Sequence, residues 1–278
     1  MTVLIDQKPN QNYKLILLHK DGKALKSPIK DNPLHNPAES LDREIDKIIN
    51  DKVNQDLTVL AMLMVLVVWD WWTWFKEVDA HPINMTIAAL LIAPIFVYRI
   101  LKHRRKVTQL RLGRDGEKAV GQYLERLRET SARVFHDIPA KGFNIDHLVI
   151  AKSGIYVVET KTYSKSDDGS HRIIFDGSQL TLGNGYKTDK PITQVKAASS
   201  WIRELLKETT GKHFSTKPVI VFPGWFIEPT SDAKSSDVWV LNPKGLPTFI
   251  SNSSEKLDES EVNLIAYHVS RYIRAYRD

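Results

Sequence analysis

The chain has 278 residues, with 39 Lys and Arg against 33 Asp and Glu, a formal net charge of +6, and no cysteine. The missing cysteines exclude disulfides, thiolate zinc sites and cysteine nucleophiles, and agree with a reducing cytoplasm. Residues 1–98 hold 10 basic and 12 acidic residues, residues 99–106 hold five basic and none acidic, and residues 107–278 hold 24 and 21, so the pI of about 9.2 reflects one short cluster and is no argument for nucleic-acid binding.

Residues 1–56 form a polar N-terminal region. Met1 to Asn12 lacks the basic-then-apolar pattern of a cleavable signal, so targeting is expected to reside elsewhere. Tyr13 to Leu18 is apolar enough for a lone strand. Leu41, Ile45, Ile48, Ile49 and Val53 then recur at helical spacing, which predicts an amphipathic helix over 41–53. Its apolar face has three candidate docking places: a membrane, the domain that follows over 102–278, or a second copy in a homo-oligomer.

Residues 57–101 read as two membrane-spanning helices, about 57–75 and 84–101. Crossing a bilayer takes roughly 20 apolar residues. The first run reaches that length by including Trp69 to Phe75, where the aromatics suit an interfacial belt and Asp70 falls near the headgroups. Lys76 to Pro82 is long enough only for a turn. A buried hairpin in a soluble protein, or an interfacial pair, is the rival reading. Arg99, Lys102, Arg104, Arg105 and Lys106 crowd the exit of the second segment, whereas the connecting turn carries Lys76, Glu77 and Asp79. The positive-inside rule then puts both termini in the cytoplasm, with the lipid bilayer as a partner and the basic cluster within reach of anionic lipid.

After the hairpin the pattern predicts a helix (115–129), a strand (132–138), two strands over 144–150 and 156–161, a polar hairpin (171–182), a helix (192–207), strands at 218–222 and 238–241, and a closing helix (259–276). Mixed strands flanked by helices indicate an α/β fold with a central mixed sheet. The two middle strands carry the chemistry. Lys152-Ser-Gly154 is a turn signal, and a two-residue turn at Lys152-Ser153 sets Asp146 across from Glu159, while one at Ser153-Gly154 sets it across from Lys161. In either register Asp146, Glu159 and Lys161 share one face. A three-residue loop would break the arrangement. Two carboxylates and an ammonium converging inside apolar runs suit a metal site that activates water. The plainer reading, a surface Glu159–Lys161 ion pair with Asp146 capping a turn, is disfavoured by Leu148, Val149, Ile150, Ile155, Val157 and Val158, which leave little room for a solvated face. Glu117 lies on one helical stripe with Val120, Leu124 and Leu127, unless the helix dipole alone accounts for it. His147 should point to the opposite face from Asp146, as a structural residue. Ser164 to Ser170 reads as an exposed loop.

Arg111-Leu-Gly-Arg-Asp-Gly-Glu-Lys118, Asn144-Ile-Asp146, Val158-Glu-Thr-Lys161 and Lys190-Pro-Ile-Thr-Gln194, followed by Ala198 and Leu205-Leu206, resemble in order and spacing the nuclease-related domain (NERD), a branch of the PD-(D/E)xK nucleases. The resemblance covers roughly residues 109–225, within a domain spanning 102–278. It implies a restriction-endonuclease-like mixed sheet flanked by helices, here preceded by a two-helix transmembrane hairpin. It also implies that Asp146 and Glu159 ligate Mg2+ or Mn2+, that Lys161 orients or deprotonates the attacking water, that Glu117 is an auxiliary acid, and that Gln194 steadies the site. The expected activity is metal-dependent hydrolysis of phosphodiester bonds in a nucleic acid, DNA before RNA. The competing expectations are a catalytically silent, membrane-tethered nucleic-acid-binding or signalling module, and a structural membrane protein that recruits partners through the 41–53 helix.

Overall fold

Apolar and helix-tolerant runs, unbroken by paired glycines or prolines, make residues 39–75 and 82–125 helical. The computed structural model describes residues 3–4, 16–17, 34–78, 81–165 and 171–276. Strands β1 (Val3–Leu4) and β2 (Ile16–Leu17) pair antiparallel, and the rest of the anticipated Tyr13–Leu18 strand lies outside the described residues. Helix α1 (Glu39–Ile48) passes through a π-helical stretch, Ile49–Val53, into α2 (Asn54–Phe75). Helix α3 (Pro82–Glu125) then runs back alongside, with Trp71 Nε1 donating to Thr86 Oγ1 at the turn end and Asp56 pairing with Arg99 near the other.

This continuity corrects the expectation of separate helices at 84–101 and 115–129. Lys102 to Leu112 is made of residues that tolerate helix well, so the basic cluster that reads as the end of a span is also a helical linker. Pro94 sits inside α3 without ending it.

The face of α1 docks on α3. Ile45 and Ile48 are buried against Val107, flanked by Ile49, Val53 and Leu110. Ion pairs of Glu44 with Lys106 and of Asp42 with Lys118 border this contact. Periodicity alone left three docking places for this helix, and the intramolecular one is realised. Farther along, Met62, Met64, Val65, Trp69, Phe75, Leu90 and Leu91 face outward, and each helix contains an apolar window, none of it buried, long enough to cross a membrane. An apolar surface of that extent marks contact with lipid or protein.

The second half is a mixed α/β unit. Strands β3 (Arg133–Ala140), β4 (Phe143–Ala151) and β5 (Gly154–Thr160) form an antiparallel meander, and β9 (Thr216–Val221) and β11 (Trp239–Leu241) add parallel to β5, giving the order β11-β9-β5-β4-β3. Every residue of β5 is buried, as a central strand covered on both faces requires. Helices α4 (Lys190–Thr210) and α6 (Glu259–Ala275) cover one face, placing Ala198, Ile202, Leu206, Ile265 and Val269 on Leu148, Ile150, Ile155 and Val157. The end of α3 and α5 (Leu246–Ser251) cover the other, with Val120, Leu124, Leu246 and Ile250 on Val149, Tyr156 and Val158. Asp258 and Glu261 close a capping box at the start of α6.

A second, four-stranded sheet replaces the expected isolated polar hairpin. Strands β6 (Arg172–Phe175) and β7 (Leu180–Leu182) form that hairpin, but β8 (Lys187–Thr188) and β10 (Phe226–Pro229) extend it to the order β10-β6-β7-β8, with β10 parallel to β6. Its inner side chains, Ile173, Phe175 and Leu180, pack on Ile220, Phe222, Trp225 and Val238. Strand β10 escapes a reading of the sequence because four residues ending in Pro carry no usable alternation.

Candidate active site

The β4–β5 turn decides the geometry. Ala151 pairs with Gly154, Ile150 with Ile155, Leu148 with Val157 and His147 with Val158, so the two turn residues are Lys152 and Ser153. Gly154 has φ of +140°, a conformation that side chains rarely adopt, which explains a glycine where the strand resumes. One further step along this register puts Asp146 opposite Glu159, the first of the two arrangements the turn signal allowed. Both acids continue the face occupied by Leu148, Val157, Ile150 and Ile155.

Lys161 follows the last residue of β5, and its backbone N–H still donates to the Val221 carbonyl at 2.9 Å, which fixes its position beside β9. Its Nζ donates to Glu159 Oε1 at 2.6 Å. The Thr160 N–H donates to Asp146 Oδ2 at 2.7 Å, tying the two strands together at the level of the acids. Glu159 is only 3% exposed, and Asp146 is half-buried. Among the described residues, Asp146 Oδ1 and Glu159 Oε2 keep no protein donor and are the two oxygens left for an external ligand.

Glu117 arrives from α3. Gly116, beside it, is buried, and a Cβ there would overlap the Thr162 hydroxyl, so α3 touches the chain just beyond β5 only because this position is glycine. Burial, the nearby charges of Asp137 and Glu159, and only partial relief from Lys161 raise the Glu117 carboxyl to about 8. Burial also pushes Asp146 well above the usual carboxylate range, with Glu159 and Glu117 adding to it. Burial raises Glu159 too, against the pull of Lys161. For Lys161, burial favours the neutral amine, but Glu159 and Asp146 outweigh it and its pKa rises. The site therefore has three acids crowded around one firmly charged ammonium.

Such a set is poised for a cation. Hard carboxylate oxygens suit Mg2+ or Mn2+, and Mg2+ commonly takes only one or two protein carboxylates, with water and phosphate oxygens completing its shell. Among the described residues no three His, Asp or Glu side chains form a ready cage, so Asp146 and Glu159 are the pair that could serve.

The remaining residues separate clearly. Gln194 is exposed, lies off the buried stripe of α4 formed by Ile192, Val195, Ala198 and Ile202, and makes no hydrogen bond to the acids or the lysine among the described residues. His147 points away from Asp146, with its Nδ1 2.8 Å from His136 Nδ1, while His136 Nε2 meets Glu125 Oε1 at 2.9 Å. Burial lowers the pKa of both histidines. Asp137, a residue that inspection of the sequence passed over, is 2% exposed, has φ of +48° and stands next to Glu117 electrostatically. Its signal was present in His136-Asp-Ile-Pro139, an acid inside an otherwise apolar strand.

A family model described as the nuclease-related domain matches residues 112–223, a span that contains Glu117, Asp146, Glu159, Lys161 and Gln194. The chain thus carries a region similar to that domain, with a nuclease-related character. No curated protein matches. Among solved structures, SfsA of Pyrococcus furiosus in complex with Ca2+ is similar at 18% identity and a TM-score of 0.26, the match covering 48% of this chain and 55% of that one.

Proposed function

We propose that this protein is a membrane-anchored, metal-dependent nuclease that hydrolyses phosphodiester bonds, with DNA as the substrate class. The observation that carries this reading is the convergence of Asp146, Glu159 and Lys161 at one end of a buried hairpin, with an oxygen of each acid left free. Similarity to the nuclease-related domain over the same residues supports it.

In this reading Asp146 and Glu159 would hold Mg2+ or Mn2+, which would supply Lewis acidity toward a phosphate oxygen and lower the pKa of a bound water. Lys161, kept charged by Glu159, would orient the attacking water and donate to the charge that develops on the phosphate, a role better suited to an ammonium than proton abstraction. Glu117, with its carboxyl raised to about 8, holds a proton at neutral pH, and a cation held nearby would favour its charged form. Gln194 is at most a peripheral contact.

The anchor is the α2–α3 hairpin. At about 1.5 Å per residue, the 22 residues of α2 reach about 33 Å, close to the thickness of a bilayer core. Exposed Trp69, Trp71, Trp72 and Trp74 occupy the turn end, as an interfacial belt would. Arg99, Lys102, Arg104, Arg105 and Lys106 lie at the opposite end, on the side of the α/β unit, which favours a cytoplasmic site. A nuclease held there is suited to incoming or membrane-associated DNA.

The competing reading is a tethered module that binds nucleic acid without cutting it. Thermal unfolding of the full-length protein in detergent micelles separates the two. Stabilisation by Mn2+ or Ca2+ that disappears in Asp146→Ala supports the nuclease. Nucleic-acid binding that needs no divalent ion and survives Asp146→Ala supports the binder.

A further inference from the structure

In the β3–β4 ladder His136 pairs with His147 and Ile138 with Ile145, which brings Asp137 opposite Asp146. In a regular antiparallel pair, opposite side chains stand side by side on the same face, and two carboxylates there would repel. The ladder does not continue regularly: Asp137 is in the left-handed region, with φ of +48°, and the pairing skips that step. The carboxylate is turned aside. Its charge is among those that raise the carboxyl of Glu117, on α3.

What holds Asp137 in this position comes from the far side of the hairpin. Ser40 Oγ donates to Asp137 Oδ1 at 2.7 Å, and the Ser40 N–H donates to Oδ2. His35 Nδ1 lies 2.7 Å from the Asp137 carbonyl, which can only accept. Asn144, two residues before Asp146, donates to Oδ1 at 3.0 Å. The approach of residues 35–40 is itself built in. Ala38 is fully buried with φ of +61°, and Pro37 lies so close to α3 that a Cβ on Gly121 would come within 2.5 Å of its ring. A buried aspartate with two donors from Ser40, in a backbone conformation that needs to be held, is a constructed contact and not an incidental one.

We propose that residues 35–40, ahead of the membrane hairpin, form a working part of the active site, and that Ser40 and Asp137 are positioning residues: Ser40 keeps Asp137 off the face on which Asp146 and Glu159 meet. This rests on the reading of those two acids as the metal-holding pair. It follows that a fragment beginning after the hairpin would contain both ligands but lack the strap that aligns them.

Mn2+ binding by the full-length protein in detergent micelles, followed through the electron paramagnetic resonance signal of free Mn2+ well below each variant's melting temperature, tests this. Residues that orient ligands typically contribute about 10–100-fold to metal affinity, so Ser40→Ala should weaken Mn2+ by about tenfold or more. Ser40→Thr, which retains both donors, should restore it. Asp42→Ala removes the ion pairs of the same helix with Arg114 and Lys118 without touching Asp137, and should leave Mn2+ affinity unchanged. Equal affinity in wild type and Ser40→Ala would overturn the inference while leaving the nuclease reading intact, and so would parallel losses in Ser40→Ala and Asp42→Ala that follow stability alone. Wild-type protein that binds no Mn2+ would overturn both.

Discussion

Lys161 and Glu159, two residues apart on one face of the chain, are joined by a 2.6 Å bond between Nζ and Oε1 in a setting where the glutamate is almost completely enclosed. Neither charge is comfortable there alone. Lys161→Met should therefore reduce cleavage by about 10²–10³-fold through loss of a donor at the developing charge. It should also cost about 1–3 kcal/mol of stability at pH 7, because Glu159 loses its hydrogen-bond donor. Paired measurements of rate and of chemical unfolding check this, and a variant that keeps its rate while losing stability would make the pair structural.

The raised Glu117 carboxyl sets a pH dependence with a defined sign. An acid that titrates near 8 when folded and near 4.5 when unfolded binds more protons in the folded state between those values. Stability of the metal-free protein should thus be fullest below about pH 4.5, as far as this group is concerned, and fall as pH rises toward about 8. Asp146 and Glu159, both raised, act in the same direction. Mn2+ affinity should rise over the same interval, because the cation competes with protons. Glu117→Gln should flatten both slopes in part. Melting temperatures of chelator-treated protein from pH 5 to 9 measure the effect, and a wild-type profile that rises across this range would contradict it.

Gly116 is where α3 meets the end of β5. Gly116→Ala should cost about 1–3 kcal/mol, the usual range for forcing a group into filled space, and should lower activity by displacing Glu117. The obstruction is the Thr162 side chain, so Thr162→Ala in the same molecule should recover most of the loss. A double-mutant cycle gives the coupling directly, and strict additivity would show that the two residues do not press on one another.

Gln194→Ala should alter the cleavage rate by no more than about twofold, as expected of an exposed side chain whose removal is worth about 0.5 kcal/mol or less. A loss of tenfold or more would place Gln194 in contact with substrate.

The parts of this molecule that could be read from sequence are those encoded locally. Lys152-Ser-Gly154 between two apolar runs announced the hairpin, and either two-residue turn within it brought Asp146, Glu159 and Lys161 to one face, whereas the choice against a three-residue loop is made by the observed pairing of Ala151 with Gly154. The helices expected over 192–207 and 259–276 are present as α4 and α6. What stayed hidden depends on contacts between distant residues. The left-handed conformation of Asp137 is sustained by Ser40, 97 positions earlier in the chain, and no local pattern links the two. Periodicity showed that α1 has an apolar face but could not say that Val107 covers it. Arg104 to Lys106 read as the end of a span because charge leaves the membrane there, yet the same residues favour helix, and α3 runs straight through them.

The most direct test of the account is cleavage by the full-length protein in detergent micelles of linear, circular and single-stranded DNA, and of RNA, in Mg2+, Mn2+ or EDTA, beside Glu159→Gln. Cutting of DNA that requires the divalent ion and vanishes in Glu159→Gln is the predicted result. Cutting that persists in EDTA or in the variant, or a folded protein that binds Mn2+ and leaves every substrate intact, would contradict it.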